Sequence, residues 1–239
     1  MESSKPRILK ATLAKIEEDA PTVYKFTLKL PVNDFRFIPG QFVMLFFDDE
    51  PNLKRSYSIA SSPNVTDKIE LIIGIEGKFT NKLKDQLVIG GEINVHGPFG
   101  KFNLLDDKTR PVVLLGAGTG ITPLRSMAKF LLESGFPKQI YFFFSCKNKD
   151  MLLCKTEFQE LRGVPKEKIV VVNAFTRLAE GETLDGEARR IDYEMVKKYV
   201  EKPAECHYYV CGSPQFAEAM ISMLEENGIP KDLLHKEQW

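Results

Sequence analysis

Cysteine, histidine and tryptophan are all scarce in this chain: its 239 residues include 4 Cys, 3 His and 1 Trp. The cysteines stand at 146, 154, 206 and 211, with no CxxC pair and no second cluster beside the histidines. That spacing excludes the four grouped thiolates of an iron–sulfur cluster, gives no metal signal, and reads as reduced, mostly buried thiols. His96 and His207 stand alone among apolar neighbours and read as structural. No apolar run approaches the ~18–20 residues that span a bilayer, so no transmembrane segment is expected. The start, MESSKPRILK, is charged with no apolar stretch behind it. A secretory signal is therefore not expected, and a cytoplasmic protein is. Charge of one sign is lacking too. Lys and Arg total 33 against 33 Asp and Glu, and the halves on either side of Asp107 each stay within one charge of neutral. A nucleic-acid partner, which needs a basic surplus, is not expected. Repeats and low-complexity segments are absent.

What is present divides in two. The first hundred residues alternate with period two in RILKATLAKIEE and TVYKFTLKL, as half-buried strands do. Pro31, Asn33 and Asp34 break the second run, and Pro39-Gly40 marks a turn before QFVMLFF. SYSIA, KIELIIGIE and EINVHG are further strands, interrupted by one short helix over 79–86. Short strands between turns predict an antiparallel barrel or sandwich. After DDKTRP the pattern changes to VVLLGAG, apolar throughout, as in a strand buried on both faces. Helix and strand then alternate: helix 121–133, QIYFFFS, helix 155–161, KIVVVNAF, helix 193–200, HYYVCG and helix 215–226. That series predicts a parallel sheet with helices on both faces. The expected domains are 1–107 and 108–239.

Four local clusters carry chemistry. GAGTGITPLRS, 116–126, follows a buried strand and opens a helix; its glycines admit close backbone approach and the helix start offers free N–H groups to phosphate. It departs from GxGxxG, so alone it says phosphate or dinucleotide. RSYSIAS, 55–61, puts a cation, an aromatic and two hydroxyls within four residues of a strand. EGKFTNKL, 76–83, is a glycine turn entering a helix. CGSP, 211–214, ends a strand before a helix, where ligands of open α/β sheets bind, and places Cys211 at that crevice rather than in the core. No base accompanies Cys211 in sequence, so thiol catalysis is not indicated. The chain ends HKEQW, and its last residue, Trp239, reads as a frayed exposed end or as an aromatic cover for a flat ligand.

Taken in order, R-x-Y-S (55–58), EGKFT (76–80), GPFG (97–100), GAGTGITP (116–123), CGSP (211–214) and the terminal E-x-aromatic resemble the ferredoxin–NADP reductase-like flavoproteins. The resemblance runs from about residue 5 to 239. It implies an antiparallel six-stranded β-barrel holding FAD, followed by an α/β doubly wound parallel sheet holding NADPH or NADH. It implies that Arg55 pairs with the FAD pyrophosphate, Tyr57 packs on the flavin or its ribityl chain, and Ser58 bonds near N5. By the same resemblance Gly77, Lys78, Phe79 and Thr80 would hold phosphate through backbone N–H groups and the Thr80 hydroxyl. Relatives often have two glycines here, whereas Glu76 precedes Gly77 in this chain. The resemblance further implies that Gly116, Gly118, Thr119 and Gly120 form the nicotinamide-nucleotide pyrophosphate turn, and that Cys211 and Gly212 lie near nicotinamide C4, with Ser58, Cys211 and Glu237 as the residues nearest the hydride step. It also implies that Trp239, in place of the usual Phe or Tyr, covers the flavin. Thr176 and Arg177 match a pair that binds a 2′-phosphate, but a solvated charged loop explains them equally, since Glu180, Glu182 and Asp185 follow.

The function this implies is an FAD-dependent NAD(P)H reductase. It passes electrons to a separate acceptor protein: a ferredoxin, flavodoxin, haem protein or oxygenase. The alternatives are reduction of free flavin, a ferric chelate or a quinone, or a non-catalytic nucleotide-binding regulatory subunit. Lys82, Lys84, Lys101 and Lys108 are candidates for an acidic carrier's docking patch, with solvated surface as the plainer reading.

Overall fold

The computed structural model describes residues 2–178 and 186–238. Residues up to Asp106, with Arg125–Phe130, form one compact unit; those from Asp107 on, less that stretch, form the other.

In the first unit the alternating segments become β1 (Arg7–Ala20), β2 (Val23–Lys29), β3 (Phe42–Phe46), β4 (Arg55–Ser58), β5 (Lys68–Gly74) and β6 (Glu92–Phe99). They form one antiparallel sheet in the order β4-β3-β6-β1-β2-β5. Just past β4, the Ala60 N–H donates to the Glu70 carbonyl of β5 at 2.8 Å, and Ser61 Oγ accepts from the Glu70 N–H at 3.2 Å. Those bonds bring the sheet's two edges together, as a barrel requires. Leu13, Phe26, Val43, Ile59, Leu71 and Val95 project into one enclosed core. The helix α1 (Lys78–Gln86) buries Phe79 and Leu83 against it.

The second unit is built on β7 (Val112–Ala117), β8 (Ile140–Cys146), β9 (Ile169–Phe175), β10 (His207–Gly212) and β11 (Leu234–Gln238). All pair in parallel, in the order β11-β10-β7-β8-β9. The helices are α2 (Ile121–Glu133), α3 (Lys155–Gly163), α4 (Tyr193–Tyr199) and α5 (Pro214–Glu226). On one sheet face Val113, Phe143, Val172 and Val210 pack against Met195 and Val196 of α4 and Ala217 and Leu224 of α5. The alternate positions Leu114, Phe142 and Phe144 are buried as well, so both faces are covered and the strands read as unbroken apolar runs. Local sequence starts the helices. Asp192 caps α4 by accepting from the Met195 N–H at 2.7 Å, and Ser213 caps α5 with Pro214 in the first turn.

One strand has no signal in the sequence: Leu234–Gln238 forms β11, paired residue for residue with Tyr208–Gly212. Five residues with two charges and a histidine carry too weak an alternation to show as a strand; the neighbouring strand supplies the missing hydrogen bonds.

Candidate functional site

The strand order reverses between β7 and β10, so the loops after these two strands diverge and leave a crevice at their carboxyl ends. The residues at that crevice are set by register. Cys211 of β10 stands opposite Gly116 of β7 on one side and Glu237 of β11 on the other. Past β7 the chain makes a short 3₁₀ turn, Gly118–Gly120, which opens α2. Gly118 is exposed and left-handed at φ +54°, and Thr119 is half-buried. Gly120 leaves no room for a side chain unless the backbone shifts: a Cβ there would meet the Cys211 carbonyl oxygen at 2.4 Å. The result is a backbone cradle at the start of a helix, where orphan N–H groups suit phosphate.

Cys211 is fully buried, not open to the crevice as the sequence suggested. Burial pushes its thiol pKa above the usual range, and the Glu237 charge adds to the effect. The sulfur is therefore a neutral thiol rather than a nucleophilic thiolate. Glu237 is half-buried, and Gly212 is buried against Phe216. All four cysteines are buried. Among the described residues no group of three or more His, Cys, Asp or Glu is placed to hold a metal.

A cavity of about 480 Å³ lies on the α5 side, lined among others by Ser145, Thr176, Arg190, Gln215, Phe216 and Met220. Thr176 and Arg177 follow β9, and their N–H groups donate to the Cys146 and Lys147 carbonyls. Thr176 lines the cavity; Arg177, an exposed residue, is not among its lining. Arg190, which does line it, was missed by sequence reasoning because it lies 14 positions beyond Thr176 with no motif around it. The neighbouring acid is already committed, since Asp192 caps α4 and pairs with Arg189 at 2.6 Å. Glu180, Glu182 and Asp185 lie outside the described residues, as does Trp239.

In the first unit the RSYS and EGKFT segments come together. Tyr57 of β4 stacks on Phe79 of α1, with ring centroids 6.2 Å apart and planes at 24°. Burial holds the Tyr57 phenol well above its usual pKa, so it stays neutral. Arg55 is exposed, donating only to the neighbouring Lys54 carbonyl at 2.9 Å. Ser58 is 2% exposed, and its hydroxyl has no hydrogen-bond partner among the described residues. A buried hydroxyl left unmatched costs about 1–3 kcal/mol, a cost that a ligand acceptor or donor at this position would relieve.

Gly77 caps α1 with an extended backbone, and the Thr80 hydroxyl is engaged within this turn. It accepts from the Glu76 and Gly77 N–H groups at 2.9 and 3.0 Å. Thr80 therefore shapes the turn, and the first-turn N–H groups of Lys78, Phe79 and Thr80 are the donors that suit phosphate. The Lys78 ammonium pairs with Glu50 at 2.6 Å. Lys82 is withdrawn from the suggested docking patch. Its side chain is only 11% exposed, bonds Asp49 and Glu50 at 2.6 and 2.8 Å, and lies over the Phe47 ring. Lys84 lies over Tyr24, while Lys101 and Lys108 are exposed.

His207 is not solitary. Its Nε2 is 3.0 Å from Asp107 Oδ2, and its Nδ1 is 3.2 Å from His235 Nε2. No sequence signal joins these three residues, since Asp107 lies 100 positions before His207.

The comparisons follow the two units. The oxidoreductase FAD-binding domain family matches residues 10–104, and the oxidoreductase NAD-binding domain family matches 114–221. The orphan Ser58 hydroxyl and the Gly120 cradle fit those two groups. The chain is 29% identical over 203 residues to the reductase component of propane 2-monooxygenase from Mycolicibacterium goodii, covering 83% of this chain and 58% of that one. It is 28% identical over 209 residues to the glycine betaine monooxygenase reductase subunit of Chromohalobacter salexigens, covering 86% and 56%. It thus spans little more than half of these relatives. Among solved structures, the ferredoxin reductase in carbazole 1,9a-dioxygenase gives a TM-score of 0.86 at 21% identity, covering 100% of this chain and 71% of that one. Ferredoxin-NADP+ reductase from Plasmodium falciparum (the H286K mutant) gives 0.82 at 20% identity, covering 97% and 96%. The chain belongs to the ferredoxin–NADP reductase-like FAD/NAD(P)H oxidoreductases.

Proposed function

We propose that this protein is an FAD-dependent reductase that takes hydride from NADPH or NADH and passes electrons to a separate acceptor protein. Residues 1–107 are the proposed FAD domain and 108–239 the NAD(P)H domain. The observation that carries the reading is the buried Ser58 hydroxyl with no protein partner, at the edge of the FAD-binding sheet.

When bound, FAD supplies the redox chemistry, accepting an electron pair and releasing electrons singly. The chain's residues bind and orient. Arg55 offers a planar fork to pyrophosphate oxygens, and the start of α1 offers backbone donors. Ser58 would offer its hydroxyl to the isoalloxazine, and Tyr57, braced by Phe79, would supply a neighbouring apolar wall. In the second domain the Gly116–Gly120 turn holds the dinucleotide's pyrophosphate, and the cavity lined by Thr176 and Arg190 takes its adenosine end. Cys211, kept neutral by burial, and Glu237 beside it position the nicotinamide. Positioning is the main task, because hydride transfer needs reacting atoms about 3–3.5 Å apart.

A reductase role for a separate carrier or oxygenase rests on the relatives, which are named as components or subunits of monooxygenase systems. No helix among the described residues is long and apolar enough to cross a membrane. Anaerobic absorbance titration with NADH and NADPH in parallel tests the reading. A flavin band bleached by either donor is the expected result, and a band that neither bleaches overturns the hydride step. A colourless protein that reduces added flavin points to a small acceptor instead.

A further inference from the structure

Asp107, His207 and His235 form a chain of three side chains drawn from the segment before β7, the first residue of β10 and the second of β11. Asp107 is fixed as a carboxylate. Its Oδ1 accepts from the Thr109 N–H and hydroxyl at 2.7 and 2.6 Å, and with the His207 bond these hold its pKa at about 2. The His207 Nε2 facing it therefore carries a proton, and His207 meets His235 through Nδ1.

Between His207 Nδ1 and His235 Nε2 there is room for one proton, in an N–H···N bond. With both rings neutral, His235 donates and His207 accepts. A first added proton goes to His235 Nδ1 and leaves that bond intact. A second would place N–H against N–H, on two cationic rings 3.2 Å apart, and the contact cannot survive it. The other groups facing the pair are Arg110, 4.0 Å behind Asp107, Asp232, and the Tyr209 ring, which stacks on His235 at 4.7 Å.

We infer that the His207–His235 pair, anchored by Asp107, is a proton-sensitive positioning latch for the C-terminal strand β11. β11 is five residues long and lies at the edge of its sheet, paired only with β10. His207, Tyr209 and Cys211 alternate onto one face of β10, and His235 and Glu237 stand opposite Tyr209 and Cys211. The latch closes one end of this double row, and Cys211 and Glu237 occupy the other. Releasing His235 frees the strand that sets Glu237 beside Cys211. The consequence for nicotinamide placement rests on the reductase reading; the latch itself does not. Burial and the neighbouring His207 lower the His235 pKa from its ordinary value.

The test is an NMR pH titration of the full chain with FAD, together with amide hydrogen exchange corrected for its intrinsic pH dependence. Only His96, His207 and His235 give imidazole signals, and His96 serves as internal reference. His207 and His235 are expected to titrate as a coupled pair in two separated steps. Exchange at 234–238 should rise at least tenfold across the second. His235→Gln keeps an N–H donor without a second proton site and should keep β11 protected over that range. Two independent single steps, or an acid loss of protection that persists in His235→Gln, would overturn the latch. A wild-type protein that shows the two steps but no hydride transfer would sink the reductase reading alone. Hydride transfer without the coupled steps would sink the latch alone.

Discussion

Ser58 and Gly120 are set by opposite physical demands, one for a partner and one for space. The Ser58 hydroxyl is buried without a bond, so Ser58→Ala should stabilise the FAD-free protein by about 1 kcal/mol and raise its Tm. The same change should slow flavin reduction about tenfold in stopped flow. A fall in FAD-free Tm would show that the hydroxyl is satisfied within the protein. At Gly120 the missing Cβ leaves room for the Cys211 carbonyl, and Gly120→Ala should cost about 1–3 kcal/mol and weaken nicotinamide-nucleotide binding. An unchanged melting curve would contradict that close approach. Arg190 bears on coenzyme choice. If the cavity takes the adenosine end, Arg190→Ala should raise KM for NADPH about tenfold and leave KM for NADH within about twofold. Equal effects on both would place the 2′ position elsewhere.

At the level of elements, the start of α1 depends on side chains that the motif leaves out. Glu50 is held down to about 2 from a usual 4.5 by its bonds to Lys78 and Lys82. Its folded pKa is thus depressed. Its contribution is present above about pH 4.5 and is lost as pH falls towards about 2. Glu50→Gln should therefore flatten the decline in Tm over that window, as measured by melts at successive pH values. An identical slope would mean that the lysine pairs add nothing. Thr80→Val removes the acceptor shared by Glu76 and Gly77, which should cost about 1 kcal/mol and loosen FAD retention on gel filtration. Retention equal to wild type would show that the turn keeps its shape without that hydroxyl.

For the molecule as a whole, 33 basic and 33 acidic residues leave no net charge to steer a charged carrier. The lysine patch suggested by the sequence also loses Lys82 to Asp49 and Glu50. Turnover with an acidic acceptor should accordingly change less than about threefold as the Debye length falls from about 10 Å to about 3 Å. A steep decline would reveal a local basic surface formed from other residues.

The two-part architecture, and the turns and strand ends that make up the candidate site, were legible because their signals are local. Period-two alternation, apolar runs and glycine turns are consequences of neighbouring backbone geometry, so RSYS, EGKFT, GAGTG and CGSP each announce a turn or a strand end within a few residues. What depends on distant partners was not legible. β11 exists because β10 offers it a hydrogen-bonding edge, and Cys211 is buried because the flanking strands enclose it. Lys82 is lost to docking because two carboxylates more than thirty positions earlier reach it. His207, read as solitary, acquires Asp107 and His235 only when three segments meet. Residue order fixes which backbone shapes are available to each segment, but a contact between side chains is a property of the packed chain, and only the tertiary structure decides it.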